Sequence, residues 1–336
     1  MSMPNRWIVT SCWLYAVLVG AVAAHMAIGP ELSWWAGVNM FLPQVIWAAP
    51  GLLIVPLALW RARRWAWLPI ATVLWVVGPL MGLCWSPARA APAGTSLRVM
   101  TYNVQLWQRA NVPAIISEIR QAAPDILCLQ DALGASRGPV GAFLKGWHLA
   151  SAGQYIIGSK FPFIDWSVGD ISYGGKRHTY LRARVDVAGE PVTVVTAHFV
   201  TPREALTVAR SARLWRGGIP IVRKNLSDRL TQARALAEDV RQITGPLIVA
   251  GDLNAPPQAL ASRALTDTGL VDAFARSGRG YGYTFGHTFS MGQSFLRIDR
   301  ILASRHFFLV RTMAGGAEGA DHRPVIADMV LPQTSR

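Results

Sequence analysis

Three stretches near the N-terminus, residues 7–29, 34–60 and 65–84, contain no Asp, Glu, Lys or Arg and consist largely of apolar side chains. A helix needs about 20 such residues to cross a bilayer, where its backbone groups must bond to one another because no water is at hand. The pattern predicts three transmembrane helices over about 7–29, 34–60 and 65–84 and argues against a chain that is soluble throughout. A cleaved signal peptide would account for the first run alone, but two more follow directly and the stretch around Ala24 and His25 is a poor cleavage site. Pro43, Pro50 and Pro56 lie inside the second run, where each removes a backbone donor, so a kinked or partly re-entrant helix is expected there. Trp34, Trp35, Trp60, Trp65, Trp67 and Trp85 mark run edges, as amphipathic rings do at headgroup level.

Arg61, Arg63 and Arg64 fall between the second and third runs, whereas the first turn carries only Glu31. The positive-inside rule puts the arginine turn in the cytoplasm. Three crossings then leave the N-terminus inside, with Arg6 agreeing, and send everything after residue 85 to the periplasmic or exterior face. Residues 86–96 are small, polar and proline-containing and read as a linker, so a separate soluble domain is expected over 97–332. The first 97 residues hold five Arg and one acid, leaving 28 basic against 18 acidic residues beyond them, a balance suited to anionic partners. Cys128 is the one cysteine of the soluble part, so no internal disulfide is available to it. Between Leu127 and Leu129, it is expected in the core.

The soluble part predicts a strand over 97–104, a helix over 113–122, a strand over 125–130 and short strands across 154–195. A helix over 226–243, a strand over 246–252, a helix over 258–266 and strands near 283–289, 296–303 and 325–331 follow. Such an order suits two packed sheets with helices on their outer faces.

The ends of these strands carry a specific polar set: Asn103, Asp131, His198, Asp252, Asn254, Asp299, Asp321 and His322. Four carboxylates, two amides and two imidazoles are what hydrolysis of a phosphate ester with a divalent cation would require. Taken singly, each has a plainer reading. Asp252 and Asn254 suit a polar turn after a strand, Asp299 a solvated edge strand, His198 a satisfied core histidine, and Asp321 with His322 an exposed turn before Pro324.

The ordered elements MTYNV, PDILCLQD, VVTAHF, VAGDLN, RIDRIL and ADHRP resemble the endonuclease/exonuclease/phosphatase superfamily, which includes DNase I, AP endonucleases, neutral sphingomyelinases and inositol polyphosphate phosphatases. The resemblance covers about 97–332 and implies a four-layered α/β sandwich of the DNase I-like kind. It implies Mg²⁺, or Mn²⁺, held through Asn103, Asp131, Asp299 and Asp321, with Asp299 either completing the metal shell or accepting from an imidazole. It further implies that Asp252 orients or deprotonates the attacking water, that Asn254 and His198 contact the phosphate, and that His322, backed by a carboxylate, donates to the developing oxyanion. Two positions depart from the family pattern. Asp131 stands where Glu is usual, and Gln105 where an acid or Asn supports the metal.

Residues 203–234 carry eight basic side chains, among them Arg203, Arg210 and Arg213, against Glu204 and Asp228, with Leu214, Trp215 and Ile219 interleaved. Arg among apolar side chains suits an interfacial element that binds anionic headgroups and feeds a phosphate to the site; an ordinary solvated helix with an apolar inner stripe fits the same pattern. The expected substrate is a lipid-linked or envelope phosphate ester or pyrophosphate, in keeping with a likeness to a membrane-anchored, outward-facing bacterial branch of that superfamily. An extracytoplasmic nuclease acting on DNA or RNA is the first alternative, since a polyanion is drawn to the same basic surface. An inactive membrane-anchored binding module is the second, motivated by Asp131 and Gln105.

Overall fold

The computed structural model describes residues 3–87, 90–105, 111–289 and 292–333 and divides into two compact units, Met1–Leu83 and Cys84–Arg336. Residues 88 and 89 of the expected linker lie outside the described residues.

In the first unit the first apolar run forms one unbroken helix, Met3–Ile28. The second run is divided: Trp34–Asn39 closes before Pro43, and a 3₁₀ segment, Gln44–Ala48, precedes Gly51–Arg61. Freed polar groups are satisfied inside the unit, with Trp47 Nε1 donating to Asn39 Oδ1 at 3.1 Å and Tyr15 donating its hydroxyl hydrogen to the Trp47 carbonyl at 2.9 Å. The third run departs from expectation. It gives nine α-helical residues, Trp67–Trp75, then five of π-helix, Val76–Leu80, where Pro79 cannot supply an N–H to the α ladder. Among the described residues two helices rather than three, Asn5–Ile28 and Gln44–Arg61, are long and apolar enough to cross a membrane.

The second unit contains fourteen strands among its described residues. They are β1 (Cys84–Trp85), β2 (Gly94–Asn103), β3 (Ile126–Gln130), β4 (His148–Ala152), β5 (Tyr155–Ser159), β6 (Phe163–Asp170) and β7 (Thr179–Val187), followed by β8 (Glu190–His198), β9 (Leu247–Asp252), β10 (Val271–Asp272), β11 (Arg279–Gly280), β12 (Asp299–Ala303), β13 (Phe308–Ala314) and β14 (Val325–Pro332). One six-stranded sheet runs β13-β14-β2-β3-β5-β4, a second runs β10-β12-β9-β8-β7-β6, and β1 pairs with β11.

Side chains alternate across each strand, so one face of each sheet builds the core between them. Val99, Ile126, Cys128 and Ile157 of the first sheet meet Leu181, Val194, Ile248, Ala250 and Ile301 of the second. Burial pushes the Cys128 thiol up to about 12, consistent with an inert core residue. On the outer face of the first sheet, Met100, Tyr102, Leu127 and Leu129 pack with Ile115 and Ile119 of the helix Val112–Ala122. That helix is capped by Asn111, whose Oδ1 accepts from the Ala114 N–H at 3.2 Å. The helix Ile219–Arg241 lies against the second sheet, where Tyr180 donates to Asp239 at 2.9 Å. Helix, sheet, sheet and helix make a four-layered α/β sandwich.

Three local readings differ. The helix expected from 226 starts at Ile219, because Pro220 suits a first helical turn and Gly217, at φ 97°, breaks the chain just before it. No strand forms over 283–289, where Phe285 makes only isolated bridges to Leu296 and His322. The strand β13 escapes a period-two pattern because its register shifts between Leu309 and Arg311.

Candidate active site

Alternation and register together explain why the polar strand ends meet. Along β8, Val192, Val194, Thr196 and His198 share a face; along β9, Ile248, Ala250 and Asp252 do; along β12, Asp299 and Ile301 do. Asp252 is registered against His198 on the parallel strand β8 and against Asp299 on the antiparallel strand β12. A row of His198, Asp252 and Asp299 therefore stands across the ends of three adjacent strands, facing the other sheet. Asn103 closes the gap from that sheet, its Nδ2–H reaching Asp252 Oδ2 at 3.0 Å. Gly251 is required beside Asp252, since a Cβ there would collide with the backbone carbonyl of Ala197.

Asp252 is buried and is the hub. Its Oδ1 accepts from the backbone N–H of Asn254 at 2.9 Å, while Oδ2 faces His198 Nε2 at 3.4 Å and His322 Nε2 at 3.7 Å. Asn254 takes a left-handed backbone, φ 45°, which Asn tolerates better than most residues. Its Nδ2 donates to the Phe199 carbonyl at 2.9 Å and lies 3.4 Å from Asp252 Oδ2. Both amide hydrogens thus hold the carboxylate and the neighbouring chain, rather than pointing at a substrate.

His322 Nδ1–H donates to Asp299 Oδ2 at 2.8 Å. The carboxylate behind this imidazole is Asp299; Asp321 lies 3.9 Å from the opposite nitrogen, Nε2. Burial disfavours a charged imidazole, yet Asp299, Asp252 and Asp321 outweigh it and push the pKa of His322 up to about 10. The ring is further fixed by Phe285, with centroids 4.8 Å apart, and by the Thr284 carbonyl, which accepts from the Arg323 N–H at 2.7 Å.

His198 Nδ1–H donates to Gln154 Oε1 at 2.9 Å and lies 3.5 Å from Asp131. His178 Nε2–H bonds the carbonyl of His198 at 2.7 Å. Burial lowers the pKa of His198, but the carboxylates of Asp131 and Asp252 more than offset this and raise it. Asp131 is held below the usual carboxylate range: its hydrogen bonds to His198 and Asn103 and the charges of His198 and His322 outweigh its burial.

Asp252, Asp299 and His322 each present one ligand atom within 4.8 Å of the others. Buried oxygens Asp299 Oδ1 and Asp321 Oδ1 have no hydrogen-bond partner. Partnerless buried carboxylate oxygens beside a carboxylate-rich cluster fit a hard divalent cation, which takes oxygen ligands. Of the expected metal set, Asp299 and Asp321 supply those oxygens. Asp131 leans on His198 from a left-handed backbone, φ 49°, and Asn103 directs its amide to Asp252.

Arg203, Arg210 and Arg213 are exposed, and among the described residues no hydrogen bond or ion pair joins their side chains to this cluster. Sequence reasoning missed Gln154, His178 and Thr284, which orient the histidines and Asp299 from loops or a strand start. Among the described residues Gln130 also bridges the sheets, donating to Thr196 at 2.8 Å, and its place just before Asp131 was its one available signal.

No curated protein is similar enough in sequence to count as a relative. The fold does have solved counterparts. An endonuclease/exonuclease/phosphatase family protein of Bacteroides thetaiotaomicron is 17% identical, with a TM-score of 0.57 over 72% of this chain and 100% of that one. A mannosyl-6-phosphatase of Bacteroides thetaiotaomicron VPI-5482 is 16% identical, with a TM-score of 0.55 over 70% and 99%. D. rerio TDP2, solved with a single-strand DNA product, is 14% identical, with a TM-score of 0.53 over 70% and 99%. These likenesses establish the fold, a DNase I-like α/β sandwich. The model of the Endonuclease/Exonuclease/phosphatase family matches residues 100–322, a span bounded by β2 and His322 itself. Members of that family are phosphoester hydrolases, generally dependent on divalent metal, and this chain belongs to the endonuclease/exonuclease/phosphatase family.

Proposed function

We propose that this protein is a membrane-anchored, Mg²⁺-dependent phosphoesterase that cleaves a phosphate ester or pyrophosphate bond of a lipid-linked substrate at the outer face of the membrane. One observation carries the catalytic part: a single buried oxygen, Asp252 Oδ2, is faced by two imidazole nitrogens, one from the end of β8 and one from the segment before β14, and held by two amides. So placed, Asp252 accepts a proton from a water and aims it at phosphorus. His322, kept cationic by Asp299, offers Nε2–H to the oxyanion that develops. His198, fixed by Gln154 and with its pKa raised by Asp131 and Asp252, presents a second imidazole on the other side of Asp252 and stabilises the same charge. Asn103 and Asn254 hold the base rigidly, so no reorganisation is needed when charge builds.

A cation held by Asp299 and Asp321, with Asp131 and Asn103 as its further expected ligands, would neutralise the phosphate and polarise the bond under attack. Hard oxygen donors favour Mg²⁺ or Mn²⁺. Arg203, Arg210 and Arg213, exposed on the segment that follows His198, supply positive charge for an anionic substrate. The lipid-linked reading draws support from the two apolar helices, which tether the site to a bilayer.

A nuclease is favoured by the likeness to TDP2 with its single-strand DNA product, and an inactive binding module by Asp131 and Gln105. The deciding experiment offers full-length protein in proteoliposomes a panel of undecaprenyl pyrophosphate, phosphatidylinositol phosphates, sphingomyelin and plasmid DNA under Mg²⁺, Mn²⁺ or Ca²⁺. Consumption of a lipid phosphate, abolished by EDTA, is expected. Consumption of DNA alone assigns the nuclease, and no turnover with any metal assigns the binding module.

A further inference from the structure

Immediately after His198 the chain forms the helix Arg203–Ala209, turns, and passes through a kinked segment, Leu214–Gly218, into the helix Ile219–Arg241. Leu214 and Gly218 are buried while Trp215 between them is 76% exposed. The turn has little freedom to fold that indole inward. Gly217 sits at φ 97°, and a Cβ on Gly218 would strike Val208 and the Arg213 carbonyl. That carbonyl already accepts the N–H groups of Arg216 and Gly218, at 3.1 and 3.0 Å.

Near Trp215 in the chain lie Arg210, Arg213 and Arg216, with Arg203 and Arg223 further along the same segment, all exposed. Among the described residues none of the five forms an ion pair. Lys224, by contrast, is paired to Asp228 at 2.7 Å, and Arg229 is buried with its Nε bonded to the Val200 carbonyl. A large apolar ring held outward among guanidinium groups that lack carboxylate partners is an unusual surface for a soluble fold.

We propose that this turn is a docking element for an anionic lipid surface, with Trp215 seated at headgroup level and Arg210, Arg213 and Arg216 paired to lipid phosphates. Indole rings favour the interface, where an apolar body and a polar N–H are both accommodated. Each Arg held near an anionic leaflet strengthens binding roughly fivefold. The same chain carries helices long and apolar enough to cross a membrane, so the surface it would meet is already close by. A nucleic acid is the weaker fit, because single strands are held on successive stacked rings and this turn offers one. The inference rests on the proposed lipid-linked substrate and adds to it a means of holding the site against the headgroups.

The test uses full-length protein carrying Cys84→Ser and Ala212→Cys, labelled at 212 with an environment-sensitive nitrobenzoxadiazole probe before reconstitution. Liposomes contain phosphatidylcholine with or without phosphatidylglycerol. Phosphatidylglycerol is expected to shift the probe's emission to the blue and make it quenchable by spin-labelled lipid, and Trp215→Ser with Arg216→Gln to abolish both effects. The double variant is also expected to lose about tenfold in turnover of a lipid phosphate while hydrolysing soluble bis(p-nitrophenyl) phosphate at the parent rate. A probe indifferent to phosphatidylglycerol, or one that responds to a single-stranded oligonucleotide instead, overturns the proposal. Loss of bis(p-nitrophenyl) phosphate hydrolysis in the parent would count against the catalytic reading alone, because the probe reports docking whether or not the site turns over.

Discussion

His198 and His322, carried on opposite sides of the second sheet's central strand end, direct Nε2 at one and the same oxygen, Oδ2 of Asp252, from 3.4 and 3.7 Å. Two imidazoles with raised pKa thus flank one carboxylate and place two donors beside it. The general-base and electrophilic roles proposed above fall within a few ångströms of each other, and most of the tests below act on this arrangement.

Replacing Asp252 with Asn keeps its shape and removes its ability to take a proton. Turnover of a soluble phosphodiester should fall by roughly a hundredfold or more, with the thermal midpoint little changed. Wild-type rates in Asp252→Asn would remove Asp252 from the chemistry.

In EDTA, stability should depend on pH through His322. Its folded pKa is about 10, above an unfolded value of about 6.5, so the stabilisation is fully present below pH ~6.5 and is lost as pH rises through about 10. A thermal midpoint lower at pH 10 than at pH 6.5 by on the order of 5 °C is expected, with a flatter profile in His322→Gln. Equal slopes in parent and variant would show that the imidazole is not charged in the fold.

Mg²⁺ added to EDTA-stripped protein should raise the melting temperature, because a ligand bound only by the folded state stabilises it. Asp321→Asn neutralises one of the two carboxylates that carry an oxygen without a hydrogen-bond partner, leaves the Asp299–His322 bond undisturbed, and should remove most of that rise. An undiminished Mg²⁺ shift in this variant would place the cation elsewhere.

Gly251→Ala should destabilise the catalytic unit by roughly 1–3 kcal/mol, since the new methyl meets the Ala197 carbonyl and forces apart the strands that register His198 with Asp252. Calorimetry checks the loss, and an unchanged midpoint would contradict the close approach.

Outward placement of the catalytic unit requires the apolar segment Trp67–Leu83 to cross the bilayer even though its helix is short and ends in a π-turn. Alkaline phosphatase fused at the C-terminus should be active and green fluorescent protein dark. The reverse pattern would mean two crossings and a cytoplasmic site.

The side chains that the sequence disclosed are those governed by a strand's period of two. Asn103, His198, Asp252 and Asp299 each continue an inward-facing series, so apolar alternation followed by one polar residue was enough to find them. For His322 the sequence offered two carboxylates, Asp321 beside it in the chain and Asp299 as an acceptor from an imidazole, and the fold delivers Asp299. Gln154, His178 and Thr284 carry no pattern of their own; they act through contacts made only once hairpins and loops have closed. The third apolar run shows a limit of another kind, since hydropathy counts residues and is blind to Pro79, where the α-helix gives way to a π-turn. Likewise the bulge in β13 erased the alternation by which that strand would have been recognised.

Because the row of His198, Asp252 and Asp299 is fixed by strand pairing, the connecting segments are free to diverge without disturbing it. Solved structures at 14–17% identity share this sandwich, so the turns after β8 and before β12 can differ while the pairing that sets the row is kept. Grafting the proposed docking turn around Trp215 onto another protein of this fold is a direct way to ask whether that turn carries bilayer binding by itself.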